Sequence, residues 1–199
     1  AGDVEAAEVN KLAEETYGKV QPRAETAARI RPQEPEPRAE RRLVLADGRV
    51  GQPTLSRSYL VPSYRTDNKE SVALDVLSQV LGGGSTGRLY RSLVIEKGLA
   101  ASAGAWYQST ALDETRFGIS AMPRPEVTME TLETALDEAI GALATDGPEA
   151  GELERAKTRL VAEAIYAQDN QATLARIYGA TLATGSTAED VKNWPEMVK

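Results

Sequence analysis

Apolar residues recur at helical spacing along most of this chain, and they alternate with polar ones in only a few short stretches. The pattern therefore predicts several helices and a small sheet. Val9, Leu12, Ala13, Thr16 and Tyr17 share one face of a first helix, with Asp3 as N-cap, Glu5 and Glu8 near its positive end and Gly18 closing it. Residues 19–40 lose all periodicity. Pro22, Pro32, Pro35 and Pro37 stand there among Arg and Glu, which predicts an extended linker. Arg42 to Ala46 reads as a strand that turns at Asp47-Gly48 and returns at Arg49-Val50. A further strand covers Thr54 to Val61 and stops at Pro62.

A helix capped by Asp67 or Asn68 then runs to about Leu81, with Val72, Ala73, Val76, Leu77, Val80 and Leu81 on a broad apolar face. Gly82-Gly83-Gly84 breaks it. A second helix, capped by Ser85 or Thr86, passes Leu89, Leu93 and Val94 to Lys97, where Gly98 ends it. Ala100–Ser109 and Thr115–Met122 read as neighbouring strands, the second ended by Pro123 and Pro125. The last third is helical. One helix carries Leu132, Leu136, Ala139 and Leu143, the next Leu153, Ala156 and Leu160, and a third Leu174, Ile177 and Leu182. Thr187 can cap a short helix, and Trp194-Pro195 reads as the opening of one more.

This order implies an α+β fold, an antiparallel sheet with helices packed on one face. The expected organisation is a terminal helix of a preceding truncated domain (1–18), a linker (19–40) and an α+β module (41–199) truncated at its end. No internal repeat at a solenoid period is visible.

Composition removes whole classes of chemistry. The 199 residues contain no Cys and no His, so disulfides, thiolate metal sites, imidazole bases and His-ligated zinc are all excluded. A carboxylate site for a hard cation would remain, but no D-x-[DN]-x-[DN]-G loop is present. Thirty acidic residues against 23 basic ones leave a net charge of −7, which argues against a nucleic-acid partner. No apolar run is long enough to span a bilayer. No signal peptide begins at Ala1, and a leader would lie upstream of it. With one Phe and two Trp, the core must be built from Leu, Val, Ile and Ala.

Few residues remain as candidates for a site. The run Gly82 to Arg88 could cradle an anion at a helix start, but Arg88-Leu89 breaks the Walker pattern and the loop follows a helix, which favours a helix–turn–helix corner. Glu149, Glu152 and Glu154 could be metal carboxylates. Near a helix start a solvated acidic face explains them better. Trp106 and Tyr107 are adjacent in a strand, so one should enter the core and the other stay exposed. Arg88, Tyr90 and Trp106 are the candidates for contact with a substrate or partner, with Arg91 more simply explained by packing. No nucleophile–base pair can be assembled.

Several stretches resemble the pitrilysin/insulinase family of zinc peptidases. They are Gly2-Asp3-Val4 with its helix, Gln52-Pro53, Tyr59 to Pro62, Ala73 to Leu77, Leu81 to Tyr90, Glu96 to Ala100, and Glu152 to Lys157. Their order and spacing cover nearly the whole chain. The match is to that family's C-terminal, non-catalytic module, often called its inactive domain. The resemblance implies a mitochondrial-processing-peptidase-like metallohydrolase module, one of a pair of α+β modules around a closed chamber that hydrolyses peptides. The zinc would belong to the parent protein, on an H-x-x-E-H motif in a companion N-terminal catalytic module. Second modules that assist catalysis carry Leu-Arg-x-x-x-Gly-Leu-Ala-Tyr, whose Arg and Tyr bind substrate and stabilise the oxyanion. In the matching stretch Leu93–Ala101, Val94 stands at the Arg position and Ala101 at the Tyr position. A homologous partner subunit would then supply both groups.

These residues lead to an expected function: the C-terminal substrate-chamber module of a zinc-dependent metalloendopeptidase, acting on peptide or unfolded protein and inactive as a fragment. The alternative is a non-catalytic assembly or core subunit of the same family. An anion-binding domain built on the glycine corner is a third. The resemblance also implies an exported parent, periplasmic or secreted, with a cytoplasmic parent as the alternative.

Overall fold

The computed structural model describes residues 2–25, 30–32, 35 and 37–199. The chain divides into two compact units, Ala1–Arg49 and Val50–Lys199.

In the first unit, α1 spans Ala6–Thr16 and continues into a 3-10 turn at Tyr17–Lys19. Its N-cap is Glu5, and no side chain caps it. Asp3 does not serve because the helix starts at Ala6, too far along for its carboxylate to reach the first free N–H groups. No residue of α1 is buried. Part of the expected linker (26–29, 33, 34 and 36) lies outside the described residues. The expected hairpin at Arg42–Val50 is corrected by the structure. Its turn exists, because Arg49 donates its backbone N–H and its guanidinium to the Asp47 carboxylate at 2.6–2.9 Å. Its ladder does not exist: Leu43, Val44 and Leu45 are exposed and unpaired with any strand among the described residues. A turn closed by its own side chains needs no ladder, and an apolar strand without a neighbour gains nothing by ordering.

The second unit holds the sheet. Strand β1 (Leu55–Val61), β2 (Ala100–Tyr107) and β3 (Thr115–Pro123) are antiparallel in the order β1-β3-β2. Tyr59 and Tyr107 flank Phe117 in register, as Arg57 and Ala105 flank Ile119. Between β1 and β2 lies α2 (Asn68–Gly82), whose first turn donates Lys69 and Glu70 N–H to the Asp67 carboxylate. Four further helices follow β3: α3 (Met129–Asp146), α4 (Ala150–Tyr166), α5 (Gln171–Ala183) and α6 (Ala188–Val198). Thr128, Asn170 and Thr187 accept N-cap hydrogen bonds, and Glu149 with Glu152 forms a capping box.

Alternation sorts the strands into two faces. Phe117, Ile119 and Ala121 on β3 join Leu81, Leu89, Leu93, Leu132 and Leu136 in one core under the helices. Within Val50–Lys199 no helix packs on the sheet's other face among the described residues. The fold is α+β with helices on one face, as the pattern implies. Where α2 crosses β2 the two backbones nearly touch: a Cβ on Gly82 would lie 2.2 Å from the Ala105 nitrogen. Arg57, on the helix-facing side of β1, pairs with Glu133 and Asp137 of α3.

Two helical details depart from expectation. The segment after the glycine run is not an α-helix but a 3-10 turn (Gly84–Thr86) leading into a π-helix at Tyr90–Glu96. Lys97 N–H reaches the Ser92 carbonyl at 2.9 Å, one residue further back than an α-helix allows, and consecutive Leu93 and Val94 both enter the core. Trp194-Pro195 opens no new helix, since both residues lie inside α6. Proline forfeits a single backbone hydrogen bond there, and Trp194 anchors the helix by donating its indole N–H to Asp75 at 3.2 Å.

Burial raises the Asp75 carboxyl to about 6, while the Trp194 N–H opposes that rise. A raised carboxylate takes up a proton on folding, so stability grows as pH falls through about 6 toward the unfolded value and is lost again above it. Asp75→Asn removes this dependence. Urea unfolding should show wild type losing about 1–2 kcal/mol relative to Asp75→Asn between mildly acidic and neutral pH. A constant difference across that range would show that Asp75 is not desolvated.

Candidate functional site

Three side chains were candidates for contact, and the structure does not gather them into one site. Arg88 leaves the glycine corner toward α4. It donates to both carboxylate oxygens of Glu152 (3.2 Å from Nε), and its Nη2 approaches the Gly147 carbonyl at 3.5 Å. The pair is sheltered, with the Arg88 side chain 14% exposed and that of Glu152 4%. Each holds the other ionised: Arg88 pulls the Glu152 carboxyl below the usual carboxylate range, and Glu152 raises the guanidinium. Glu152 also accepts the Glu149 N–H at 3.1 Å and approaches Arg91 at 3.8 Å. It is therefore not part of a solvated acidic face. Its position in the first turn of α4 aims it inward, toward the half-buried Arg88 guanidinium.

The glycine corner is likewise occupied by internal bonds. Gly83 N–H donates to Gln79 O, Gly87 N–H donates to Gly84 O, and the Gly83 carbonyl accepts Arg159 Nη1 at 2.6 Å. A corner whose Gly83 and Gly87 amides already donate to the chain is a structural joint. Tyr90 is half-buried and packs against the core.

Trp106 lies on the opposite side of the sheet. It projects from the open face, 47% exposed, and its indole covers Gly118, where a Cβ would sit 2.2 Å from the ring. Tyr107 points the other way, stacks on Phe117 at 6.4 Å, donates its hydroxyl to Pro62 O and shares a 2.9 Å hydrogen bond with the Ser71 hydroxyl. Leu60 (49% exposed), Arg116 and Met122 share the open face with Trp106, and serines at 56, 58, 102 and 120 complete it. The sequence pattern gave Trp106 but not Arg116 or Leu60. The glycine opposite the tryptophan was the available signal, because it marks where a large ring can lie flat on a strand.

At the stretch Leu93–Ala101, Val94 is buried in the π-helix, Ala101 is exposed at the start of β2, and Arg124 Nη2 donates to the Val94 carbonyl at 3.3 Å. The donor set does not fit zinc. The chain has neither His nor Cys, and among the described residues no three Asp or Glu side chains come together to hold a metal. A cleft of about 580 Å³ lies among α2, α3, α4 and the end of α6, and another of about 840 Å³ among α4, α5 and α6. Neither is lined by Arg88, Tyr90 or Trp106. No helix among the described residues is long and apolar enough to cross a membrane.

Residues 1–160 match the family described as Peptidase M16 inactive domain. An uncharacterized zinc protease of Streptomyces coelicolor is 32% identical over 155 residues, which are 75% of this chain and 33% of that protein. Among solved structures, a protease from Helicobacter pylori superposes with a TM-score of 0.89 at 24% identity, over 99% of this chain and 47% of that one. The first half of the periplasmic protease PqqL from Escherichia coli gives a TM-score of 0.69 at 15% identity, over 99% of this chain and 43% of that one. The chain thus spans a third to a half of the length of these three proteins. It belongs to the peptidase M16 inactive-domain family, the pitrilysin/insulinase type of second module.

Proposed function

We propose that this chain is the substrate-chamber module of a zinc-dependent metalloendopeptidase, working beside an N-terminal catalytic module that carries the zinc motif. It lends a wall to the space that holds a peptide or unfolded protein. The Arg and Tyr that bind substrate and stabilise the oxyanion come from a homologous partner subunit. One observation carries this reading: at the two positions where an assisting module has those groups, this chain has a buried Val94 and an Ala101, neither of which donates a side-chain hydrogen bond. The zinc-protease name of the Streptomyces relative supports zinc in the parent, and the periplasmic name of the Escherichia relative supports export. Of the three contact candidates, Trp106 is the one proposed to meet substrate. Tyr90 and Arg88 are proposed to shape the corner beside a partner.

The chain alone, supplied with zinc, should not cleave a quenched fluorescent peptide. The parent with its partner should cleave it. Zinc-dependent cleavage that co-elutes with the isolated chain through successive columns would end the proposal. The alternative of an assembly subunit is separated by the parent's upstream sequence, which must contain H-x-x-E-H if the chamber is catalytic.

A further inference from the structure

We infer that the open face of the sheet is a subsite for a peptide in which a bulky apolar side chain adjoins a carboxylate. This deepens the chamber reading and rests on it. The apolar half of the subsite is Trp106, fixed flat on Gly118 and half-exposed, with Leu60 diagonal to it across β3. An exposed indole held in one orientation offers a large contact surface at little entropic cost.

The polar half is Arg116, two residues before Gly118 on the same face and directly opposite Leu60. Its guanidinium has no ion-pair partner among the described residues, and Glu114 makes none with it. Elsewhere on this sheet the contrast is clear: Arg57 is matched by two carboxylates. A cation without an ion-pair partner among the described residues, beside an exposed tryptophan on a chain of net charge −7, is complementary to an incoming carboxylate. The free α-carboxylate of a peptide end and an internal Asp or Glu share that chemistry.

Beyond Trp106 the floor falls away. The next row across the sheet is Ser56, Ser120 and Gly104, and Met122 rises on its far side. A Cβ added at Gly104 would meet nothing within 4 Å, so the trough is empty space and not a packing necessity. A permanent interface would present a more continuous apolar surface than two serines and a glycine between a tryptophan and a methionine. That mixture suits a transient peptide.

The test measures binding of labelled Gly/Ser-rich peptides with Phe-Asp, Phe-Lys or Ala-Asp at their centre, and of a peptide ending in Phe-COO⁻, to the full chain. Phe-Asp should bind best. Trp106→Ala should weaken it about tenfold. Arg116→Gln should abolish the preference for Asp over Lys. Gly104→Leu should block binding while leaving the thermal transition unchanged, which separates a filled trough from a damaged fold. Stronger binding of the Phe-COO⁻ peptide than of Phe-Asp would assign the cation to a chain end. Phe-Asp binding that none of the three variants alters would sink this subsite but leave the chamber reading standing. No binding by any peptide would overturn both. Loss of association with the catalytic module in Trp106→Ala, with peptide binding intact, would make the face an internal interface and overturn the subsite.

Discussion

Glu152→Ala should cost this chain about 3–5 kcal/mol of stability, as much as a large core deletion. The carboxylate is sheltered, and removing it leaves the half-buried Arg88 guanidinium without its ion-pair partner, with the Gly147 carbonyl at 3.5 Å and the more distant charges of Glu149 and Asp146. The Glu149 N–H loses its acceptor as well, so the first turn of α4 frays. Arg88→Met should cost less than Glu152→Ala, because it leaves Glu152 with the Glu149 amide and the nearby Arg91. Replacing both by Met and Leu should recover much of the loss, since apolar substitutes for a buried pair are often neutral. Urea unfolding of wild type, Arg88→Met, Glu152→Leu and the double variant closes the cycle. The sign with pH follows from the lowered Glu152 carboxyl: its contribution is present above the ordinary glutamate range and is lost as pH falls through the depressed folded value. A single-variant cost below about 1 kcal/mol would show the pair to be no stronger than a surface bridge.

The other large effect is expected where a helix meets a strand. Gly82→Ala places a methyl group 2.2 Å from the Ala105 nitrogen and 2.3 Å from its carbonyl oxygen, both backbone atoms of β2. A flexible side chain could swing aside, whereas a strand hydrogen-bonded to β3 moves only as part of the sheet. The destabilisation should reach or exceed about 3 kcal/mol, the upper end for overpacked cores. Gly104→Ala on the open face of the same strand should be close to neutral, since nothing lies within reach of the added atom. Thermal melts of the two variants side by side make the comparison, and equal melting temperatures would refute the close approach.

Much of this fold was legible because its signals are local. The apolar spacing of Val72, Val76 and Val80 and of Leu132, Leu136 and Leu143 marks α2 and α3, and Asp67 and Thr187 sit at helix starts for the reason their side chains suggest. Phe117, Ile119 and Ala121 betray the buried face of β3 by alternation. What escaped is what depends on distant partners. Glu152 looks like any acid near a helix start until Arg88, far away in sequence, is brought beside it. Residues 42–46 have every local mark of a strand, but a strand is defined by its neighbour. Pro195 signals a boundary that an indole bond to Asp75 overrides. On the open face, Trp106 was visible as a rare aromatic, whereas Arg116 acquires meaning only from the register that sets it beside the tryptophan.

The widened turn at Tyr90–Glu96 has a consequence for anyone wishing to convert this module into one that assists catalysis. It turns Val94 inward beside Leu93, so an arginine written at that position would be interred without a counterion and could not reach a substrate. Supplying the missing guanidinium is thus a problem of helix winding before it is one of residue identity: the segment must be rewound to the tighter ladder, by shedding its surplus residue, before a side chain at position 94 can face outward.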